Sequence, residues 1–305
     1  MELEKIRKFE EGLNPINLER STMPASILGY GEISTVFQMG DEKDIACKRM
    51  PLFSDRAAAE SYANSYREYC QLLREAGLKL PDDETTIVEI PGRPVVFYIL
   101  QKKLNPSHFA HKLIHTLDRE QIGQMIERIV AEISKVWEFN RSHAPERKIA
   151  LDGQLSNWVF EGDVRRGEIF YVDTSTPLFR VNGEEQLDPE LFLKSAPSFL
   201  RWIIRWLFLE DVMNRYYDQR QVLIDLVANL HKEQRPDLVS MVVDIVNKAK
   251  KGEIAPLSRE EVEKYYREDK IIWEIFLIFR KLDRWIKVRL LRKRYEFILP
   301  GEIKR

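Results

Sequence analysis

Cysteine is nearly absent: Cys47 and Cys70 are the only two in 305 residues. Two thiols form one bridge at most, and no CxxC or Cys/His zinc spacing accompanies them, so a disulfide framework or a zinc finger is excluded. Both are expected as reduced thiols of a cytoplasmic protein. Long apolar runs are missing too. The most apolar stretches, "FLRWIIRWLFL" (199–209) and "IIWEIFLIF" (271–279), each carry charge. Each falls well short of the roughly 20 residues a membrane-spanning helix needs. The N-terminus, "MELEKIRKFEEG", has no apolar stretch and is no secretion signal. Repeats and low-complexity linkers are absent. Net charge is -1, so the global field argues neither for nor against a polyanionic partner.

What is present is an ordered succession of patterns. "SILGYGEISTVFQMG" and "DIACKRM" read as strands joined by the turn "GDEKD". Residues 54–77 turn helical, with Tyr62, Tyr66, Tyr69, Leu72 and Leu73 at helical spacing and Gly77 as terminator. "TTIVEIPGRPVVFYILQKKL" reads as a hairpin. A long amphipathic helix is expected over 117–143, with Ile122, Met125, Ile126, Ile129, Ile133, Val136 and Trp137 on one face. Two short strands follow, in "NWVFEGD" and "EIFYVDTSTP". Beyond Pro189 the pattern is helical, near 190–217, 219–232, 235–250, 258–268 and 268–297. Strands and one helix therefore precede a mostly helical half, with a joint near 101–107.

Several residues in this order carry chemistry. Gly29 and Gly31 in a strand-turn-strand let backbone amides approach a phosphate, although taken alone a bare hairpin is the commoner explanation of such a pair. Lys48 lies in an apolar strand, where an unpaired ammonium is costly. It either snorkels from a strand edge or points under the glycine turn and pairs with a helix carboxylate, Glu68 or in reserve Glu60. Asp173 ends a strand and offers a hard carboxylate ligand suited to magnesium. Asn157 offers a neutral amide oxygen, and Asp152 can accept the hydrogen bond of an incoming hydroxyl. Taken singly, an Asp or Asn in a turn is an Asx-turn residue. The order of all these features is what points to phosphoryl transfer.

That order resembles the protein-kinase-like superfamily, and more narrowly its aminoglycoside and choline phosphotransferase branch, over about residues 25–180. "LGYGEISTVF" is similar to the glycine-rich loop, "REYCQLLREAGLKLP" to the Glu-bearing helix, "VVFYILQKKL" to the strand entering the hinge, "DGQLSN" to the catalytic loop and "FYVDTS" to the metal-binding aspartate segment. The resemblance implies an α+β, bilobal protein-kinase-like fold. Residues 1–103 would form a small antiparallel-sheet lobe with one helix, and 104–305 a larger, mainly helical lobe. It implies ATP and Mg2+ as cofactors and a small-molecule acceptor. Gly29, Gly31, Ser34, Lys48, Glu68 and Gln101 would hold the nucleotide, with residues 99–103 facing the base. Asn157 and Asp173 would hold the metal, and Asp152 would act as base. The chain departs from the branch pattern at Ala150-Leu151-Asp152, where a histidine is usual, at Gly153, and at Thr174-Ser175. It has no Ala-Pro-Glu segment. A pseudokinase or nucleotide-binding regulatory module is the alternative, and an all-helical interaction protein a third reading.

Finally, "RKLDRWIKVRLLRKR" (280–294) carries eight basic residues and one acid, with Trp285, Val288 and Leu291 at helical spacing. The ordinary reading is a last helix with a solvated basic face. Contact with nucleic acid or an anionic membrane is the alternative, which the sequence does not favour.

Overall fold

Strand β3 (Ile45–Phe53) sits at the centre of a five-stranded antiparallel sheet. Its partners are β1 (Ala25–Tyr30), β2 (Thr35–Met39), β4 (Asp83–Val88) and β5 (Val95–Lys102), in the order β1-β2-β3-β5-β4. The computed structural model describes residues 3–31, 34–188, 191 and 210–299. The apolar run 199–209, most of the helix expected over 190–217, and Glu32 and Ile33 of the glycine turn lie outside the described residues.

The inner strands β3 and β5 are covered on both faces, so they do not alternate between core and water, whereas edge strand β1 does alternate with exposed positions. Val96, Tyr98 and Leu100 of β5 and Cys47 of β3 face one side, where they meet Ile6, Phe9 and Leu13. Phe97 and Ile99 face the other side, against Tyr62, Tyr66, Tyr69 and Leu73. The second cover is α2 (Arg56–Glu75), which Asp55 caps by accepting the Ala58 amide and Gly77 ends at φ +88°. The first cover is α1 (Leu3–Gly12), a helix the sequence reading did not assign. Its charged turns conceal an apolar stripe, Ile6, Phe9 and Leu13, at spacings of three and four. "One helix" beside the sheet is thus corrected to two. Cys47 and Cys70 are free, buried thiols, and burial raises the pKa of each, to about 12 and about 11.

The consequence falls on Arg49, only 2% exposed on the α1 face. Its guanidinium donates to both carboxylate oxygens of Glu10, at 2.7 and 2.6 Å, and to the Glu296 carbonyl at 2.6 Å. The Tyr98 hydroxyl also donates to Glu10. Burial opposes ionisation of Glu10, but Arg49 outweighs it and holds the carboxyl below its ordinary pKa. Glu296 belongs to the C-terminal tail, where Tyr295, Phe297 and Ile298 are buried and Arg294 donates to the Leu13 carbonyl at 2.7 Å. The end of the chain therefore locks onto its beginning and the sheet.

After β5 come the short α3 (Ala110–Leu113) and the long α4 (Arg119–His143), which opens on an Asp118/Gln121 capping box. Every apolar residue expected on one face of α4 is buried. The hairpin of β7 (Trp158–Glu161) and β8 (Glu168–Tyr171) matches the two expected strands. A small sheet of β6 (Arg147–Ile149), β9 (Phe179–Val181) and β10 (Glu184–Glu185) was not expected. Among the described residues the remaining α-helices are α5 (Glu210–Tyr216), α6 (Gln219–Lys232), α7 (Val239–Ala249) and α8 (Arg259–Trp285). The segments expected at 258–268 and 268–297 are one helix up to Trp285, since no Gly or Pro interrupts it. A wide turn over Ile286–Leu290 and Arg292 at φ +50° then release the chain into the returning tail. The architecture is mixed α/β: an antiparallel sheet followed by a helical C-terminal region. No described helix is long and apolar enough to cross a membrane.

Removing one partner of a buried ion pair costs about 3–5 kcal/mol, because the other charge is stranded. Glu10→Gln is expected to lower stability by that order in a denaturant titration at neutral pH. The folded pKa of Glu10 lies below the unfolded one, so its contribution exists above the ordinary carboxylate range and fades on acidification. The gap between wild type and Glu10→Gln should therefore narrow as pH falls; a gap that widens would contradict this account.

Candidate active site

Neighbouring cations on β3 are sent to opposite faces by the strand period of two. Arg49 takes the α1 face, so Lys48 takes the other, pairing across the sheet with Val36 on β2 and Ile99 on β5. There Lys48 is 6% exposed and donates from Nζ to the carbonyl of Val172. Burial lowers the pKa of its ammonium, and nearby Asp173 acts against that shift.

Lys48 lines a chamber of about 340 Å³ together with Gly29, Val36, Ala46, Gln101 and Asp173. At Gly29 a Cβ would meet nothing within 4 Å, so no neighbouring atom requires a glycine there. At Gly31 a Cβ would come within 2.6 Å of the Ser34 hydroxyl, and the Gly31 amide donates to the Ser34 carbonyl at 3.0 Å. Gln101 is 4% exposed, opposite Ala46 across the β3–β5 ladder. A second chamber, of about 270 Å³, holds Asp152, Gln154, Lys232, Asp269 and Trp273. Gly31, Ser34, Asn157 and Asp173 line both. The two chambers thus meet where the sequence placed its metal ligands.

The loop at Asp152 is fixed by side chains from four elements. Asn140 of α4 accepts from the Ile149 amide and donates to the Ile149 carbonyl, both at 2.8 Å. Tyr69 of α2 donates to the Ala150 carbonyl at 2.7 Å. The Asp152 amide donates to the Tyr171 hydroxyl at 3.2 Å, and Trp158 Nε1 donates to the Gly153 carbonyl at 3.2 Å. These bonds brace the backbone where the resembled family uses a histidine. Gly153 also has a reason: a Cβ there would lie 2.8 Å from Val222 Cγ1 and 3.2 Å from the Val222 carbonyl, so α6 packs directly on the loop. Asn157 donates from Nδ2 to the Asp152 carbonyl at 3.2 Å, and its Oδ1 accepts the Ser156 hydroxyl at 3.5 Å, which leaves that oxygen one further lone pair. Asp173 accepts the Ser175 hydroxyl on Oδ1 at 3.0 Å. One carboxylate and one amide oxygen at the junction match the sparse protein donor set that magnesium takes when phosphates and water complete its shell. Among the described residues no group of three or more His, Cys, Asp or Glu could hold a metal by itself.

Glu68 is the correction. It lies on the outer side of α2, partly exposed, 3.8 Å from Arg147. Glu60 pairs with Arg56 at 2.7 Å, also in solvent. Neither reaches Lys48. The inner side of α2 carries tyrosines instead: Tyr62 donates to the Ser175 carbonyl, and Tyr66 to Asp83 at 2.8 Å, with Thr174 Oγ1 3.3 Å away. Together with Tyr69 they tie α2 to both functional loops.

The model of the family of unknown function DUF6206 matches residues 16–284. The chain belongs to that family. No curated protein matches it. Among solved structures it is similar to a chain described as WaaP in complex with acyl carrier protein, at 11% identity and a TM-score of 0.34, over 72% of this chain and 89% of that one. So slight a likeness settles neither fold nor function.

Sequence reading of this DUF6206 chain missed the second chamber's wall. Gln154 accepts from Lys232 at 2.8 Å and from Asn229 at 3.4 Å. Asn229 and Lys232 sit on α6, and Asp269 and Trp273 on α8, far along the chain. Only the polar residues interrupting apolar helix stripes hinted at them. Burial first, then Asp173, raises the Asp152 pKa to about 7. Asp225 is raised as well, by burial and then by Asp152 and Asp269.

Because the folded pKa of Asp152 exceeds the unfolded one, the favourable linkage is present at acid pH and is lost as pH rises toward 7. Asp152→Asn removes that loss. Its Tm should exceed the wild-type value by more at pH 8 than at pH 5; an equal difference at both would show that Asp152 titrates in its ordinary range.

Proposed function

We propose that this protein is an ATP- and magnesium-dependent phosphotransferase with a protein-kinase-like, two-part arrangement, acting on a hydroxyl of a small molecule. One observation carries the reading: a chamber roofed by the glycine turn and floored by Lys48 opens onto a chamber holding Asp152, and Asn157 and Asp173 stand at their junction. Residues 1–103 form the nucleotide-side part and 104–305 the acceptor-side part, with the C-terminal tail returning to the former. The branch of the superfamily, aminoglycoside and choline phosphotransferase-like, belongs to this proposal.

In this reading the triphosphate lies under Gly29–Gly31 with Lys48 beside it, Ser34 near the phosphates, and Gln101 at the wall that faces the base. Asn157 and Asp173 would hold magnesium, which supplies neutralisation of phosphate charge. Asp152 accepts the hydrogen bond of the acceptor hydroxyl and aims its oxygen at the γ-phosphorus. The new P–O bond forms as the bond to departing ADP breaks, and the hydroxyl proton passes to Asp152. A carboxylate whose pKa is raised toward neutrality suits that role.

A second reading rests on Lys48. Its ammonium donates to a backbone carbonyl, and no carboxylate from α2 meets it. A nucleotide-binding module without transfer would tolerate that arrangement. The readings separate by assay. ATP with magnesium, across a panel of hydroxylated and aminated acceptors, is expected to give turnover that Asp152→Asn lowers by about 10²- to 10⁴-fold. Asp173→Asn should abolish the magnesium dependence of nucleotide binding. Nucleotide binding with no turnover on any acceptor supports the module. No thermal shift at millimolar ATP and magnesium removes both, since a ligand of the native state must stabilise it.

A further inference from the structure

Helix α8 presents an apolar row to the outside. Ile271, Ile278, Leu282 and Trp285 are separated by seven, four and three residues, which puts them on one side of a helix. They are 37–61% exposed, and Leu290 and Leu291 continue the exposed surface in the turn beyond. Scattered surface leucines are ordinary, but Ile278, Leu282 and Trp285 at successive helical spacings, carried on by Leu290 and Leu291, mark an interaction surface.

Charge tells what covers it. The segment 280–294 carries eight basic residues and one acid. The acid, Asp283, is buried and paired with Lys287 at 2.7 Å. Lys281, Arg289, Arg292 and Lys293 are exposed and enter no ion pair among the described residues. Glu274 lies within the row, three residues after Ile271 and four before Ile278, so the uninterrupted apolar part is the C-terminal one beside the basic segment. A second copy of this chain would bring the same basic collar against itself. A nucleic acid would satisfy the collar and leave the apolar row in water. An anionic bilayer meets both demands: its headgroups take the lysines and arginines, and its acyl boundary takes Trp285 and the aliphatic side chains.

We infer that the C-terminal half of α8 docks in the plane of an anionic lipid surface. The same helix contributes Asp269 and Trp273 to the second chamber, so docking would hold that chamber close to the bilayer. The inference stands on this surface alone and not on phosphoryl transfer.

The test is co-sedimentation of the full chain with vesicles of phosphatidylcholine alone or with one-third phosphatidylglycerol. Partitioning onto the anionic vesicles should exceed that onto the neutral ones by about tenfold and decline with added salt. Ile278→Ser/Trp285→Ser and Lys281→Glu/Arg289→Glu should each reduce it to the neutral-vesicle level. Circular dichroism and Tm should be unchanged, since all four side chains are exposed. Equal partitioning onto both vesicles, or partitioning that survives both variants, would overturn the inference. So would a wild-type dimer by light scattering that Ile278→Ser/Trp285→Ser dissolves, which would make the row a self-interface. Salt-sensitive binding to duplex DNA, unaffected by the apolar variant and without vesicle binding, would reassign the collar to nucleic acid.

Discussion

Two consecutive cations on the central strand, buried on opposite faces, set the constraint that the rest of the structure answers. A strand can hide Lys48 and Arg49 together only if each face provides oxygen, because an unpaired buried charge is far costlier than a buried apolar side chain. On one face α1 supplies Glu10 and the returning tail supplies the Glu296 carbonyl. On the other, the loop after β8 supplies the Val172 carbonyl, with Asp173 alongside. Each cation therefore draws a distant segment onto the sheet. Arg49 fastens the two ends of the chain, and Lys48 fastens the segment that carries the candidate metal ligand.

The site was legible where its chemistry is local in sequence. Asp152 and Asn157 share one loop, and Asp173 lies two residues past the end of β8, so short-range pattern singled out three residues that line one chamber. Lys48 was legible because a lysine in "IACKRM" demands a partner. The partner was misread although the necessary information was present. Tyr62, Tyr66 and Tyr69 had already fixed the inward face of α2, and Glu68 lies about 100° around the helix from Tyr69. Helical spacing alone points Glu68 outward, to Arg147; the family resemblance outweighed that geometry. Similarly, Ile6, Phe9 and Leu13 spell an amphipathic stripe that the dense charge around them obscured, so α1 and the burial of Arg49 went unread.

What could not be read was long-range. Nothing in "ANLHKEQ" or "YREDKIIWE" announces that Lys232, Asp269 and Trp273 wall the chamber beside Asp152; that follows from how α6 and α8 pack. The absence of a histidine before Asp152 looked like a defect. The backbone around Asp152 is braced by Asn140, Tyr171 and Trp158, nearby in sequence, and by Tyr69 of α2, far away in it. Gly153, which looked like a departure, is the point where α6 needs a backbone without a side chain.

The tyrosines also change how the two functional loops are held. A lysine–glutamate pair would link α2 to the Lys48 chamber through charge, and its strength would vary with protonation and ionic strength. Here Tyr62, Tyr66 and Tyr69 link α2 to Ser175, Asp83 and Ala150 through neutral hydroxyls, all buried and all raised in pKa by that burial. Such bonds stay intact across the range in which Asp152 titrates. Protonation of Asp152 in the second chamber can then alter the local field without loosening the elements that position it. Charge is concentrated at the few groups that face the cleft, and the frame around them is held by hydroxyls, amides and packing.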